Sequence, residues 1–151
     1  MTTVVDTLEE LTPLVGTCLG SSSWVEVDQQ RIDTFSDATN DHQWIHVDLD
    51  RANHGPFGTT IAQGCLTLSL LISMWTEILE VREVGVTINY GLGKVRFPAP
   101  VPVGSKIRAT ATLGSLEAIA GGVQGTIDAL VERDGGNKPV CVAQLILRFY
   151  R

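Results

Sequence analysis

The sequence predicts an α+β fold in which a curved antiparallel sheet wraps one long helix, and three observations carry that prediction. The run 61–79, IAQGCLTLSLLISMWTEIL, is apolar over most of a helical circumference and so is expected in the middle of a fold. Helical patterns precede this run, whereas period-two patterns follow it, an order that segregates helix from sheet. With 151 residues, 44% hydrophobic and 19% charged, the chain can bury one core, and global disorder is excluded. No internal repeat or linker divides it, so residues 1–151 are read as a single domain.

The first helix is expected through QQRIDTFSDAT, capped by Asp28, because Ile32, Phe35 and Ala38 or Thr39 fall at helical spacing before the pattern stops at Asn40. A short turn is expected at VDLDRAN, with Asp48 or Asp50 near its start, then a loop from His54 to Thr60 holding Gly55, Pro56 and Gly58. This loop leads into the central helix. From Val84 the apolar residues Val84, Val86, Ile88 and Tyr90 alternate, which marks a half-buried strand that the glycines of GLG at 91–93 are expected to break. Three prolines within 98–102 then forbid regular pairing in VRFPAPVPVGSKIR, a crossing or edge segment.

Further on, Ile107, Ala109, Ala111 and Leu113 alternate with Lys106, Arg108, Thr110 and Thr112, giving a strand with one wet face. Val123, Gly125, Ile127, Ala129 and Val131 repeat the pattern, as do Cys141, Ala143, Leu145, Leu147 and Phe149, with turns at AGG and DGGNKP. These three strands are read as an antiparallel meander. Helices followed by a sheet that curls around a single helix is the hotdog architecture.

Charge and composition exclude several classes of partner. A formal charge of −6 repels a nucleic-acid backbone and an anionic membrane surface. The nineteen residues 61–79 approach a bilayer-spanning length, but Gln63, Thr67, Ser69, Ser73, Thr76 and Glu77 interrupt them and no basic cluster anchors either end. The opening MTTVVDTLEELTPLVG lacks a basic segment, so no secretory leader is read and a cytoplasmic location is expected. Cys18, Cys65 and Cys141 form no CxxC pattern and are taken as reduced, packed thiols. Lys94, Arg96, Lys106 and Arg108 are the only side chains charged at neutral pH between Glu83 and Glu117, which makes them candidates for a local anion site in an acidic chain.

The candidate chemistry lies in ATNDHQWIHVD, where Asp41 and His46 stand five residues apart. An imidazole titrates near neutrality and can take a proton from water, while a nearby carboxylate orients that water or returns a proton. Gly64 stands near the expected start of the central helix, where unpaired backbone N–H groups and the positive end of the dipole face a ligand and can hold an oxyanion. Other patterns are weaker. His42 and His46 are four apart, yet no neighbouring Glu or third ligand at a recognisable spacing accompanies them, so no metal is expected. GLGK at 91–94 lacks the spacing of a phosphate loop, Trp24, Met74 and Trp75 are read as core or interface packing, and His54 as a loop residue.

The string around Asp41 resembles the MaoC-like, R-specific enoyl-CoA hydratase family, whose motif runs Ser or Thr, Gly, Asp, any residue, Asn, Pro, an aliphatic residue, His. Thr39, Asp41, Ile45 and His46 fit it, whereas Asn40, Gln43 and Trp44 depart from it, and DHQWIHVD is similar to a nodulation-protein-N-like branch of the family. HGPFGTTIAQGCLTLSLL and KVRFPAPVPVGSKI resemble the family's segments before and after the helix, so that the matched stretches span 35–108. The resemblance implies that Asp41 and His46 hold the attacking water, that the Gly64 N–H steadies an enolate, and that no cofactor is needed. It also implies an enoyl-CoA or 3-hydroxyacyl thioester substrate, which Gln43, keeping an amide on a longer stem, is expected to contact; the phosphate charges of coenzyme A make Lys94, Arg96, Lys106 and Arg108 expected contacts as well. A homodimer is expected, because a single hotdog unit leaves a strand edge to be covered. Two other readings stay open at this point: a hotdog thioesterase, and a non-catalytic acyl-CoA-binding subunit.

Overall fold

The structure, a computed structural model, describes residues 2–151. In chain order it runs β1 (Thr3–Val5), a 3-10 turn (Glu9–Leu14), β2 (Cys18–Ser21), β3 (Val25–Val27), α1 (Gln29–Thr39), α2 (Trp44–Val47), α3 (Leu49–Asn53), α4 (Gly64–Ile78), β4 (Leu79–Val81), β5 (Val86–Arg96), β6 (Ser105–Ile119), β7 (Gly122–Arg133) and β8 (Cys141–Tyr150). The main sheet is antiparallel in the order β2-β6-β7-β8-β5, with β3 also on β6, while β1 and β4 form a separate parallel pair. This is the hotdog fold of α+β type.

The meander forms with the expected faces. Ile107, Ala109, Ala111, Leu113, Ile127, Ala129, Val131, Cys141, Ala143, Leu145 and Leu147 are buried and meet one face of α4 through Leu66, Leu70, Leu71, Met74, Trp75 and Ile78. The opposite stripe of the helix, Cys65, Ser69, Ser73, Thr76 and Glu77, is exposed, so the sheet covers one side of α4 rather than its whole circumference. The helix starts three residues later than the apolar run does. Ile61 and Ala62 are held extended, their N–H groups donating to Ile45 O and Val101 O, and the turn begins only once Gln63 takes the capping position. Burial pushes the Cys141 thiol up to about 11, which keeps it protonated and leaves it a packing residue. Trp24 is not core: it is 40% exposed, with the Arg108 guanidinium stacked 4.5 Å from its ring centre.

Two expectations about β5 are overturned. The strand does not end at GLG but continues to Arg96, absorbing the extra residues as irregularities of register against β8 between Asn89 and Gly91 and between Leu92 and Val95. Nor is it half-buried within one chain, because Val86, Ile88, Tyr90 and Leu92 are 44–56% exposed and β8 is its only partner among the described residues. Residues 97–104, with the three prolines, carry the chain from this edge across to β6, touching Ile61 through a single bridge at Pro102. No helix among the described residues is long and apolar enough to cross a membrane.

Candidate active site

Helix α1 delivers the chain to the site. Asp28 caps it by accepting the Arg31 N–H at 2.9 Å, and Asn40 ends it in the left-handed conformation, φ 58°. The chain then turns back through Asp41 to Gln43, whose N–H points at Asp41 Oδ1 over 3.4 Å, and enters the single turn α2 that carries His46. His46 is buried, and its ring Nδ1 lies 2.7 Å from Ile61 O. A carbonyl only accepts, so Nδ1 carries the proton, and in the neutral ring Nε2 presents its lone pair.

His46 and Gly64 line one cavity of about 360 Å³. Its remaining wall is almost wholly apolar, built from Ile45, Phe57, Ile61, Ala62, the segment Phe97–Val101 and Val140, with Thr67 as a further polar residue. Gly64 is the first residue of α4, and its N–H has no acceptor among the described residues. Phe97 packs over it so closely that a Cβ would meet the ring at 2.8 Å. Gln63, one residue earlier, is fixed to α1 by Nε2 donating to Ser36 Oγ at 2.7 Å and Ile32 O at 3.3 Å; its Oε1 is buried without a partner. An apolar pocket with one oriented base and one free N–H at a helix start can bind an acyl group and hold charge on its carbonyl oxygen.

Not every expected site residue meets there. Asp41 is exposed and lies outside the cavity lining, as does Gln43. His42 pairs with Asp37 at 3.0 Å on the surface. The four basic residues do not form one cluster within the chain. Lys94 and Arg96 are on β5, Lys106 and Arg108 on β6, and β7 and β8 lie between, roughly 14 Å at the spacing of neighbouring strands. Arg108 is further engaged by Glu132. Sequence reasoning passed over Phe57, Phe97 and Thr67, which line the cavity, and Gln29 and Thr60, which hold its backbone.

Residues 10–138 match the model of the MaoC like domain, a match that takes in every element from β2 to β7. The chain belongs to the MaoC-like family. It is 50% identical over 145 residues to the 3-hydroxyacyl-thioester dehydratase Z of Mycobacterium tuberculosis, covering 95% of this chain and 96% of that protein. It is 42% identical over 142 residues to nodulation protein N of Rhizobium leguminosarum, covering 92% and 88%. The crystal structure of a MaoC-like dehydratase from Rhodospirillum rubrum superposes with a TM-score of 0.75 over 96% of this chain and 97% of that one, at 20% identity.

Within this MaoC-like chain the departures from the family motif have local physical reasons. Asn40 stands where the motif has glycine, and its left-handed φ is one that Asn and Gly adopt more readily than other residues. Trp44 replaces proline at the first position of α2, a place where proline is favoured but not required. Its ring turns away from the cavity and lies against Gly55, where a Cβ would meet it at 2.9 Å, with the Arg51 guanidinium 4.3 Å from its centre.

Proposed function

We propose that this MaoC-like protein is a 3-hydroxyacyl-thioester dehydratase and, more finely, an R-specific enoyl-CoA hydratase working in both directions. The 50% identity to the mycobacterial dehydratase over nearly the whole of both chains supports the coarser reading. One observation carries the chemistry: an imidazole whose Nδ1–H is committed to a carbonyl shares an apolar cavity with a free N–H at a helix start. In hydration, His46 Nε2 takes a proton from water as its oxygen bonds to C3 of the 2-enoyl thioester. Electrons move to the thioester oxygen, where the Gly64 N–H steadies the enolate, and a proton is returned to C2. Asp41 holds the water and shares in that return, a role that rests on its place in the family motif, since its carboxylate lies outside the cavity lining. Dehydration runs the same steps backwards, and no bound cofactor enters.

Incubation with crotonyl-CoA tests this reading against hydrolysis. Hydration removes the conjugated double bond and leaves the thioester intact, so the enoyl ultraviolet absorbance falls while no free thiol appears. Thiol release that keeps pace with substrate loss would make the protein a thioesterase. Binding without either change would make it an acyl-CoA-binding subunit.

Among the four basic residues Arg96 is assigned to the coenzyme phosphates, because it directly precedes Phe97 in the cavity wall, is exposed, and its guanidinium bonds only to Val95 O among the described residues. Arg96→Gln is expected to raise KM for the CoA ester severalfold at low salt, with kcat nearly unchanged and the effect shrinking as salt is added. An unaltered KM at low salt removes Arg96 from the binding site.

The protein is further proposed to be a homodimer joined along β5. An eleven-residue edge strand with exposed apolar side chains is a template for another strand, and a second copy pairs with it under twofold symmetry. Light scattering is expected to return twice the mass of one chain, and Ile88→Lys to shift it towards the single-chain mass. A fully active wild-type monomer overturns the dimer.

A further inference from the structure

We infer that Gln29 and Thr60 are positioning residues that fix the general base, an inference that rests on the assignment of His46 above. The His46 backbone carbonyl accepts a hydrogen bond from Gln29 Nε2 at 2.8 Å. Gln29 Oε1 accepts from Thr60 Oγ1 at 2.6 Å. Thr60 is fully buried and immediately precedes Ile61, whose carbonyl takes the His46 Nδ1–H at 2.7 Å. The contacts therefore close a ring: Gln29 to the His46 backbone, the imidazole to Ile61, and Thr60 back to Gln29. One carboxamide clamps both the backbone that carries the base and the backbone that orients its ring.

The orientation of that carboxamide is determined. The second N–H of Gln29 goes to Asp33 Oδ1 at 2.8 Å, one turn further along α1. A flipped amide would set its oxygen against a carbonyl and a carboxylate, neither of which can donate, so all three polar positions of the side chain are committed as they stand. The three partners come from α1, α2 and the extended segment before α4, so no local helix preference accounts for the ring. Its effect is on geometry. A base displaced by about 1 Å from the water it activates costs on the order of 10² in rate, and the Gln29 bond is a second tie on the short helix, beside the Ile61 N–H that donates to Ile45 O.

Thr60→Val tests the clamp, because it conserves shape, deletes the O–H and leaves Gln29 Oε1 without a donor. Its kcat for crotonyl-CoA hydration is expected to fall about tenfold or more with KM within about twofold, and Thr60→Ser to restore most of the loss. Gln29→Met, half-buried on the first turn of α1, removes all three hydrogen bonds of the side chain and should show the same split; it decides the matter if the Thr60 variant does not fold. In a His46→Gln background, Thr60→Val is expected to cost nothing more, since a residue that acts through the base has no effect once the base is gone. A role in stability alone would lower Tm and leave kcat per folded molecule unchanged. Folded Thr60→Val or Gln29→Met protein with wild-type kcat overturns the inference while His46→Gln stays inactive. Wild-type activity of His46→Gln itself is a different result, which removes the base and this inference with it.

Discussion

Asp41→Asn and His46→Gln are each expected to lower kcat for hydration of a 2-enoyl thioester by about 10² or more while leaving the protein folded. Structural cost is small for Asp41. Its carboxylate is exposed, with a single long contact to the Gln43 N–H, and the amide keeps its shape. His46 is buried, so its replacement is chosen to keep an amide near one ring nitrogen and to leave the Ile61 carbonyl within reach of a donor. What each change removes is a proton-transfer group. Because both groups are assigned to one water, the double variant should lose much less than the product of the two single losses. Steady-state rates with crotonyl-CoA, beside a thermal melt for each variant, check the prediction; wild-type activity in either folded single variant takes that residue out of the mechanism.

Much of the site was legible because it is built from local sequence. The Asp28 cap, the stop at Asn40 and the return to His46 occupy one continuous segment, and Gly64 stands near the start of the apolar run, although the run does not show which residue opens the helix. The meander was equally legible, since a strict period of two over seven or more residues leaves no second choice of face. Short strands were not. β2 and β3 have four and three residues, too few for a period to register, and what makes them strands is the long edge of β6 that they pair with.

Longer-range relations failed for a different reason. Lys94 and Lys106 are close in sequence, yet the proline segment between them carries the chain from one strand to another with two strands between, an order that no charge pattern reveals. The glycines of GLG read as a break, but Gly93 lies where a Cβ would collide with the Gln144 side chain of β8; the glycine serves close packing between paired strands. Val86, Ile88 and Tyr90 alternate as a buried face would, and yet are exposed in one chain, because β5 is an edge strand with only β8 beside it among the described residues. The Gln29 clamp joins three elements by side-chain hydrogen bonds, a relation without any periodic signature.

At Gly64, proline and alanine are expected to have very different effects, and the difference isolates one backbone N–H. Proline is favoured at the first position of a helix, and the residue before it must be extended, which Gln63 already is at φ −63° and ψ 139°. Gly64→Pro therefore keeps the start of α4 and deletes the donor that would face the enolate oxygen. Any side chain here also presses on Phe97, whose ring would lie 2.8 Å from a Cβ. Gly64→Ala carries that steric burden with the N–H intact, so it is expected to disturb KM and to lower kcat modestly. Relative to it, Gly64→Pro should lose a further factor of about 10² to 10³ in kcat, the usual cost of removing one oxyanion donor. Phe97→Leu gives room for the larger ring, and the pair of variants is best compared in that background as well. Equal kcat for the alanine and proline variants, both folded, would mean that Gly64 serves only the packing of Phe97 and that the developing charge is held elsewhere.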